Sequence, residues 1–188
     1  MIEQELGSDK RVERSKAKVL SETYRQMAQV GLGGLSIDEV SRASGVSKTT
    51  IYRHWPSRSA LLIDACSRLS GTAEAPDSGS LKEDLRTLLS YLADQLETAN
   101  WSSVYPSVLD AAERDPEISV MQQSLHKNFM APFATVLARA TQRNEMPSDP
   151  PPDALIPMLV GPLFFRRWFS KEKIDGAFIE TLISAVIR

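Results

Sequence analysis

A single cysteine, Cys66, and two histidines, His54 and His126, in 188 residues remove several classes of function at the outset. One thiol closes no intramolecular disulfide, and the two dispersed histidines give no recognisable zinc spacing. Neither a disulfide scaffold nor a metal centre is expected, and the setting reads as a reduced cytoplasm. No apolar run approaches the ~18 residues of a membrane span, and the first ten residues are polar and acidic where a secretory leader would be apolar, so no membrane partner is expected. The nine glycines form no phosphate-cradling loop, Cys66 has no evident base partner, and the histidines fall in different predicted domains. An enzyme is therefore not expected, and no cofactor. Strand-like alternation is missing as well, which leaves an all-α fold. Hydrophobic content of 42% is enough to bury a core.

What is present is concentrated between Leu35 and Arg58. Ser36 followed by Glu39 has the spacing of a capping box, so a helix begins at Ser36 with Ile37, Val40 and, more weakly, Ala43 and Ser44 on one side. Gly45 ends it, being best able to take a left-handed conformation. Ser47 then caps a second helix from Lys48 to about Trp55, with Ile51 and Trp55 turned to the core. The opposite face carries Lys48, Thr49, Thr50, Tyr52, Arg53 and His54. Short hydroxyls, cations and one phenol suit phosphates and base edges in a major groove. A merely solvated helix would mix in acids, and Ser47 to Arg58 contains none.

Net charge of -2 argues against a nucleic-acid partner until the chain is divided. Residues 1–65 carry ten Lys and Arg against eight Asp and Glu, and residues 66–188 carry twelve against sixteen. The basic excess lies with the two short helices.

Val19-Leu20, Gly31, Ser36-Ile37, Val40, the run Ala43 to Arg58 and Leu61-Leu62 resemble the N-terminal domain of the TetR (tetracycline repressor) family. The resemblance covers about a third of the chain. Ser41, Ser44, Thr49, Trp55 and Arg58 depart from the residues usual there while keeping size or charge class. The resemblance implies a helix-turn-helix in which Ser36 and Arg42 anchor the first helix to phosphates. Ser47, Lys48, Thr49, Thr50, Tyr52, Arg53 and His54 would lie at or in the groove, and Arg58 would hold a phosphate at the start of the next helix.

Punctuation gives the remaining layout. Residues 1 to about 8 read as a loose arm, with Ser8 or Asp9 capping a helix to Val30. Ser57 caps a fourth helix through Leu69 to Gly71, and the loop from Gly71 to Gly79 marks a boundary. Ser80 and Glu83 have capping-box spacing ahead of a leucine-striped helix. Further helices span about 102–114, from Asp115-Pro116 to about Arg143, 153–170 and 175–187. Whether Pro132, Pro157 and Pro162 kink or end their helices is open at this stage. The domains are then residues 1–56 for DNA binding, 57–79 as connecting helix and loop, and 80–188 as a larger helical ligand-binding and dimerisation domain.

Phe164, Phe165, Trp168 and Phe169 occupy adjacent as well as helically spaced positions, so one core cannot take them all. A homodimer contact through Phe165, Trp168, Phe169, Ile179, Leu182, Ile183 and Val186 would cover the remainder, as the resemblance also implies. It further implies a pocket for an unknown small-molecule effector, with Trp101, Tyr105, Met121, Phe129, Met130, Phe133, Met158 and Phe164 as candidate lining. The expected function is a dimeric regulator, a repressor, released from a palindromic operator by an apolar or amphipathic compound. The alternative is a partner-controlled or constitutive DNA-binding protein without an effector.

Overall fold

Nine α-helices and one π-helical turn, with no strand, make up the regular structure among the described residues. The computed structural model describes residues 2–67, 73–98, 101–146 and 151–187, with side chains from residue 10 onward except at 67, 101, 152 and 153. In chain order the elements are α1 (Ile2–Val30), α2 (Ile37–Ser44), α3 (Lys48–His54), α4 (Arg58–Ser67) and α5 (Leu81–Thr98). They continue with α6 (Trp101–Ala112), α7 (Pro116–Gln142), α8 (Pro152–Phe165), the π-helical turn Arg166–Ser170 and α9 (Gly176–Val186). No helix among the described residues is long and apolar enough to cross a membrane.

Two compact units share the chain. The first takes residues 1–70 and 103–125, the second 71–102 and 126–188. This grouping differs from a partition at 56 and 79, and the reason is packing. Leu61, Leu62, Ala65 and Cys66 of α4, with Val104, Val108, Ile118 and Met121, are buried in one cluster with Val19, Leu20, Met27, Val40 and Ile51.

In this first unit α1 is helical from Ile2, where a loose arm to residue 8 was expected. Among its side chains described from residue 10 onward, the buried ones are Val19, Leu20, Thr23, Gln26 and Met27. No residue from Lys10 to Lys18 is buried. The fourth helix starts as expected, with Ser57 Oγ accepting from the Ala60 N–H at 3.0 Å. Its expected end at Leu69 and Gly71 lies outside the described residues. Asp115 caps α7, its Oδ1 accepting from the backbone of Glu117 at 2.9 Å and Ile118 at 3.4 Å.

The second unit is built on the leucine stripe of α5. Leu81, Leu85, Leu88, Leu89, Leu92 and Leu96 pack against Phe133, Val136 and Leu137 of α7, Leu155, Leu159 and Leu163 of α8, and the buried face of α9. Each such leucine contributes roughly 1.5–3 kcal/mol of burial. The helix start is satisfied otherwise than by a Ser80–Glu83 box. Glu83 pairs with Arg86, and the Leu81 N–H donates to Glu145 Oε2 at 2.7 Å, 64 residues along the chain. The loop before it is tied by Asp84, whose Oδ1 accepts from the Ser78 N–H at 2.8 Å and the Ser78 hydroxyl at 2.7 Å.

Pro132 lies inside α7, and Pro157 and Pro162 inside α8, so none ends its helix. Each lacks the N–H that would meet the carbonyl four residues back. The expected single segment 153–170 becomes α-helix to Phe165 and then a π turn, closed by Lys171 at φ 59°. Between α7 and α8, residues 147–150 lie outside the described residues. Asp175 caps α9, accepting from the Phe178 N–H at 3.0 Å.

Candidate nucleic-acid interface

Two caps and a glycine set the geometry of α2 and α3. Ser36 Oγ accepts from the Glu39 N–H at 3.4 Å, while Glu39 turns away to Arg42, so only half of the capping box forms. Gly45, at φ 69°, is left-handed, and its N–H closes on the Ser41 carbonyl. Ser41 Oγ donates to the Val46 carbonyl at 2.8 Å, which fixes the turn from its inner side. Ser47 Oγ then accepts from the Thr50 N–H at 3.3 Å and pairs with the Thr50 hydroxyl at 3.0 Å. Val40, Ile51 and Trp55 are buried and tie both helices to the core of their unit. Trp55 also donates its indole N–H to Asp64 Oδ2 on α4 at 2.8 Å.

With Ile51 inward, Lys48, Thr49, Tyr52 and Arg53 are exposed together on the outer arc of α3. At about 100° per residue they span roughly 140°. Tyr52, 48% exposed, is near the middle of that arc. Thr50 and His54 are half-buried on its flank, and the His54 ring meets Trp55 edge-on at 5.8 Å. Ser47 is exposed at the leading end of the helix.

Three of the cations expected to touch DNA have partners within the chain. Lys48 pairs with Asp38, and Arg42 forms a forked pair with Glu39. The Arg42 guanidinium holds the Glu39 carboxyl below the usual carboxylate range, and Arg42 is raised in turn. Both arginine and lysine remain largely exposed, as surface pairs are, so contact with a phosphate costs little. Arg58 is bound more firmly. It donates to the carbonyls of Leu32, Gly33 at 3.3 Å and Leu35 at 3.4 Å, gripping the link between α1 and α2. Gly34 in that link accepts no side chain, because an added Cβ would stand 2.7 Å from the Val30 carbonyl oxygen. Spacing makes the Glu39–Arg42 pair legible, whereas Asp38–Lys48 and the Arg58 grip join residues whose approach only the folded chain sets.

Residues 19–65 match the model of the bacterial regulatory proteins of the tetR family, and residues 75–186 match that of the tetracyclin repressor-like C-terminal domain. The chain belongs to the TetR family. It is a DNA-binding helix-turn-helix transcriptional regulator. Among relatives of this TetR family regulator, the DNA-binding transcriptional repressor TetR of Mycobacteroides abscessus is 28% identical over 180 residues, 94% of each chain. A crystal structure of another TetR family transcription regulator is 27% identical with a TM-score of 0.67, covering 90% of this chain and 94% of that one. The flavonoid-responsive regulator FrrA shares the fold at a TM-score of 0.73 and 21% identity, over 92% of this chain and 93% of its own.

The residues nominated for an effector pocket in this TetR family regulator fall in both units. Tyr105, half-buried with its hydroxyl 3.4 Å from Gln122 Nε2, and buried Met121 belong to the first. Phe129, Met130 and Phe164 pack around the core of the second, where Phe133 is buried, and Met158 is 47% exposed. The side chain of Trp101 lies outside the described ones.

At the nominated dimer contact, Phe165 and Phe169 stack at 5.6 Å and are 57% and 75% exposed. Trp168 is turned back, donating its indole N–H to the Ser102 carbonyl at 3.1 Å. Ile179, Ile183 and Val186, expected at the same contact, fill the core of their own unit instead, and Leu182 is half-buried against it. The short α9 presents one apolar face, and the leucines of α5 and α8 already cover it.

Proposed function

We propose that this regulator is a homodimeric repressor that holds a palindromic operator and is released from it by an apolar or amphipathic small molecule. The observation that carries the DNA half is the acid-free outer arc of α3, with exposed Tyr52 between cations. Ser36, Arg42, Ser47, Lys48, Thr49, Thr50, Tyr52, Arg53, His54 and Arg58 are its proposed contacts, with the groove residues reading bases and the others holding phosphates. The exposed Phe165–Phe169 stack supports a second copy, which would set two recognition helices at the spacing a two-fold operator requires.

The sign of regulation is supported by the mycobacterial relative named a repressor. A small organic effector is supported by the fold neighbour named flavonoid-responsive and by the methionine and aromatic content around residues 101–164. Release follows only if the compound prefers the conformation that binds DNA less well.

Gel-shift titration of operator duplexes selected by the wild type tests this reading. Tyr52→Ala is expected to lose about 1–3 kcal/mol of operator binding, the cost of one base contact. Unchanged affinity removes Tyr52 from the reading face. A thermal-shift screen of apolar compounds, followed by gel shift, tests release. Compounds that raise the melting temperature and weaken operator binding support it, and a screen in which none does either points to control without an effector.

A further inference from the structure

We propose that residues 10–18 of α1 form a phosphate-binding arm, in which Arg11, Arg14 and Lys18 track the DNA backbone beyond the segment held by the helix-turn-helix. This rests on the DNA reading above.

Of the α1 side chains described, which start at Lys10, none before Val19 is buried. Residues 10–18 alone, at 1.5 Å each, extend about 13 Å with no buried side chain. That stretch carries five of the ten cations of residues 1–65 and one acid. At about 100° per residue, Arg11, Arg14 and Lys18 lie within roughly 60° of one another. All three are exposed, and none has an ion-pair partner among the described residues. The acid, Glu13, is on another side of the helix, joined to Lys16 at 3.3 Å.

The direction of the stripe connects it to DNA. Continued at three- and four-residue spacing, it runs through Glu22 and Arg25. α1 packs directly on α2; Glu22 is lowered first by Arg25 and last by Arg42 of α2, and Arg25 is raised first by Glu22 and last by Glu39 of α2, so this side of α1 is the one beside the end of α2. Arg42, three-quarters exposed, is the residue expected on a phosphate there. The cations of α1 therefore extend the Arg42 side outward. Arg11 and Lys18 are ~10 Å apart along the axis of α1, a span that can reach more than one phosphate of a strand. A solvated charge run would show mixed signs on one face, and this face is of one sign from residue 10 to 21.

The test uses the full chain and a mixed-sequence duplex of about 40 base pairs, titrated at several salt concentrations. The triple variant R11A/R14A/K18A is expected to bind roughly tenfold or more weakly, with a log–log salt slope shallower by about 0.9 for each phosphate no longer neutralised. R11K/R14K keeps the wild-type slope, and so does K16A, which removes a cation from another side. On a duplex trimmed until no flank remains for the arm, wild type and triple variant agree. A triple variant of wild-type helicity that keeps the wild-type affinity and slope on the long duplex overturns the proposal. If Arg53→Ala loses binding while that variant does not, the arm fails and the reading of α3 stands. If the wild type binds neither duplex, both fall.

Discussion

Single side chains hold the reading helix at its outgoing end. Trp55 leaves α3, fills the core and reaches Asp64 on α4 through one indole hydrogen bond. Trp55→Phe keeps most of the apolar volume and deletes the donor. It is expected to cost about 1.5–3 kcal/mol in urea unfolding, the value of a hydrogen bond to a carboxylate. Arg58 separates charge from geometry in the same region. Its fork reaches three carbonyls of the α1–α2 link, and an ammonium cannot reproduce that fan of donors. Both Arg58→Ala and Arg58→Lys are therefore expected to lower the melting temperature of the folded chain in a thermal scan. A wild-type melting temperature in Arg58→Lys would leave charge alone as the role of this residue.

At the scale of elements, helix starts divide into those set locally and those set at a distance. Ser36, Ser47, Ser57, Asp115 and Asp175 each serve the helix that follows within three residues, so short-range spacing makes them legible. The glycine turn at Gly45 and the caps around it carry the helix-turn-helix for the same reason. The start of α5 was not legible, because its partner Glu145 comes from beyond the end of α7. The same limit applies at α9. Its Ile179, Ile183 and Val186 have a periodicity that fits an internal core and a dimer contact equally well, and only the packed structure chooses. Glu145 itself lies below the usual carboxylate range, first because of the Arg143 guanidinium and then because of the Leu81 N–H. A carboxyl lowered in the fold adds stability above its unfolded value of about 4.3 and loses it as pH falls through the folded value. Glu145→Ala is thus expected to melt below wild type at pH 7, with the gap narrowing under pH 4, as read by circular dichroism. A gap that is constant with pH would remove the charge from the account.

At the scale of the whole molecule, Phe165 at the end of α8 and Phe169 in the π turn stack on each other while remaining 57% and 75% exposed. Replacing both rings by charge, F165D/F169D, is expected to turn a dimer into monomers in sedimentation velocity and to weaken operator binding. Ile183→Asp, by contrast, is expected to unfold the second unit, since that side chain is fully buried. Equal sedimentation of wild type and the double variant would remove the stack from the interface.

The course of the chain carries a consequence of its own. It passes from the first unit to the second after residue 70, returns at 103 and leaves again after 125. Val104, Val108, Ile118 and Met121, all buried with the DNA-reading helices, are contributed by the returning stretch. A fragment cut at the end of α4 would carry every residue of the reading face and lack one wall of its interior. A chain truncated after α4 is therefore expected to lose the cooperative melting of the first unit while keeping every reading residue in its sequence.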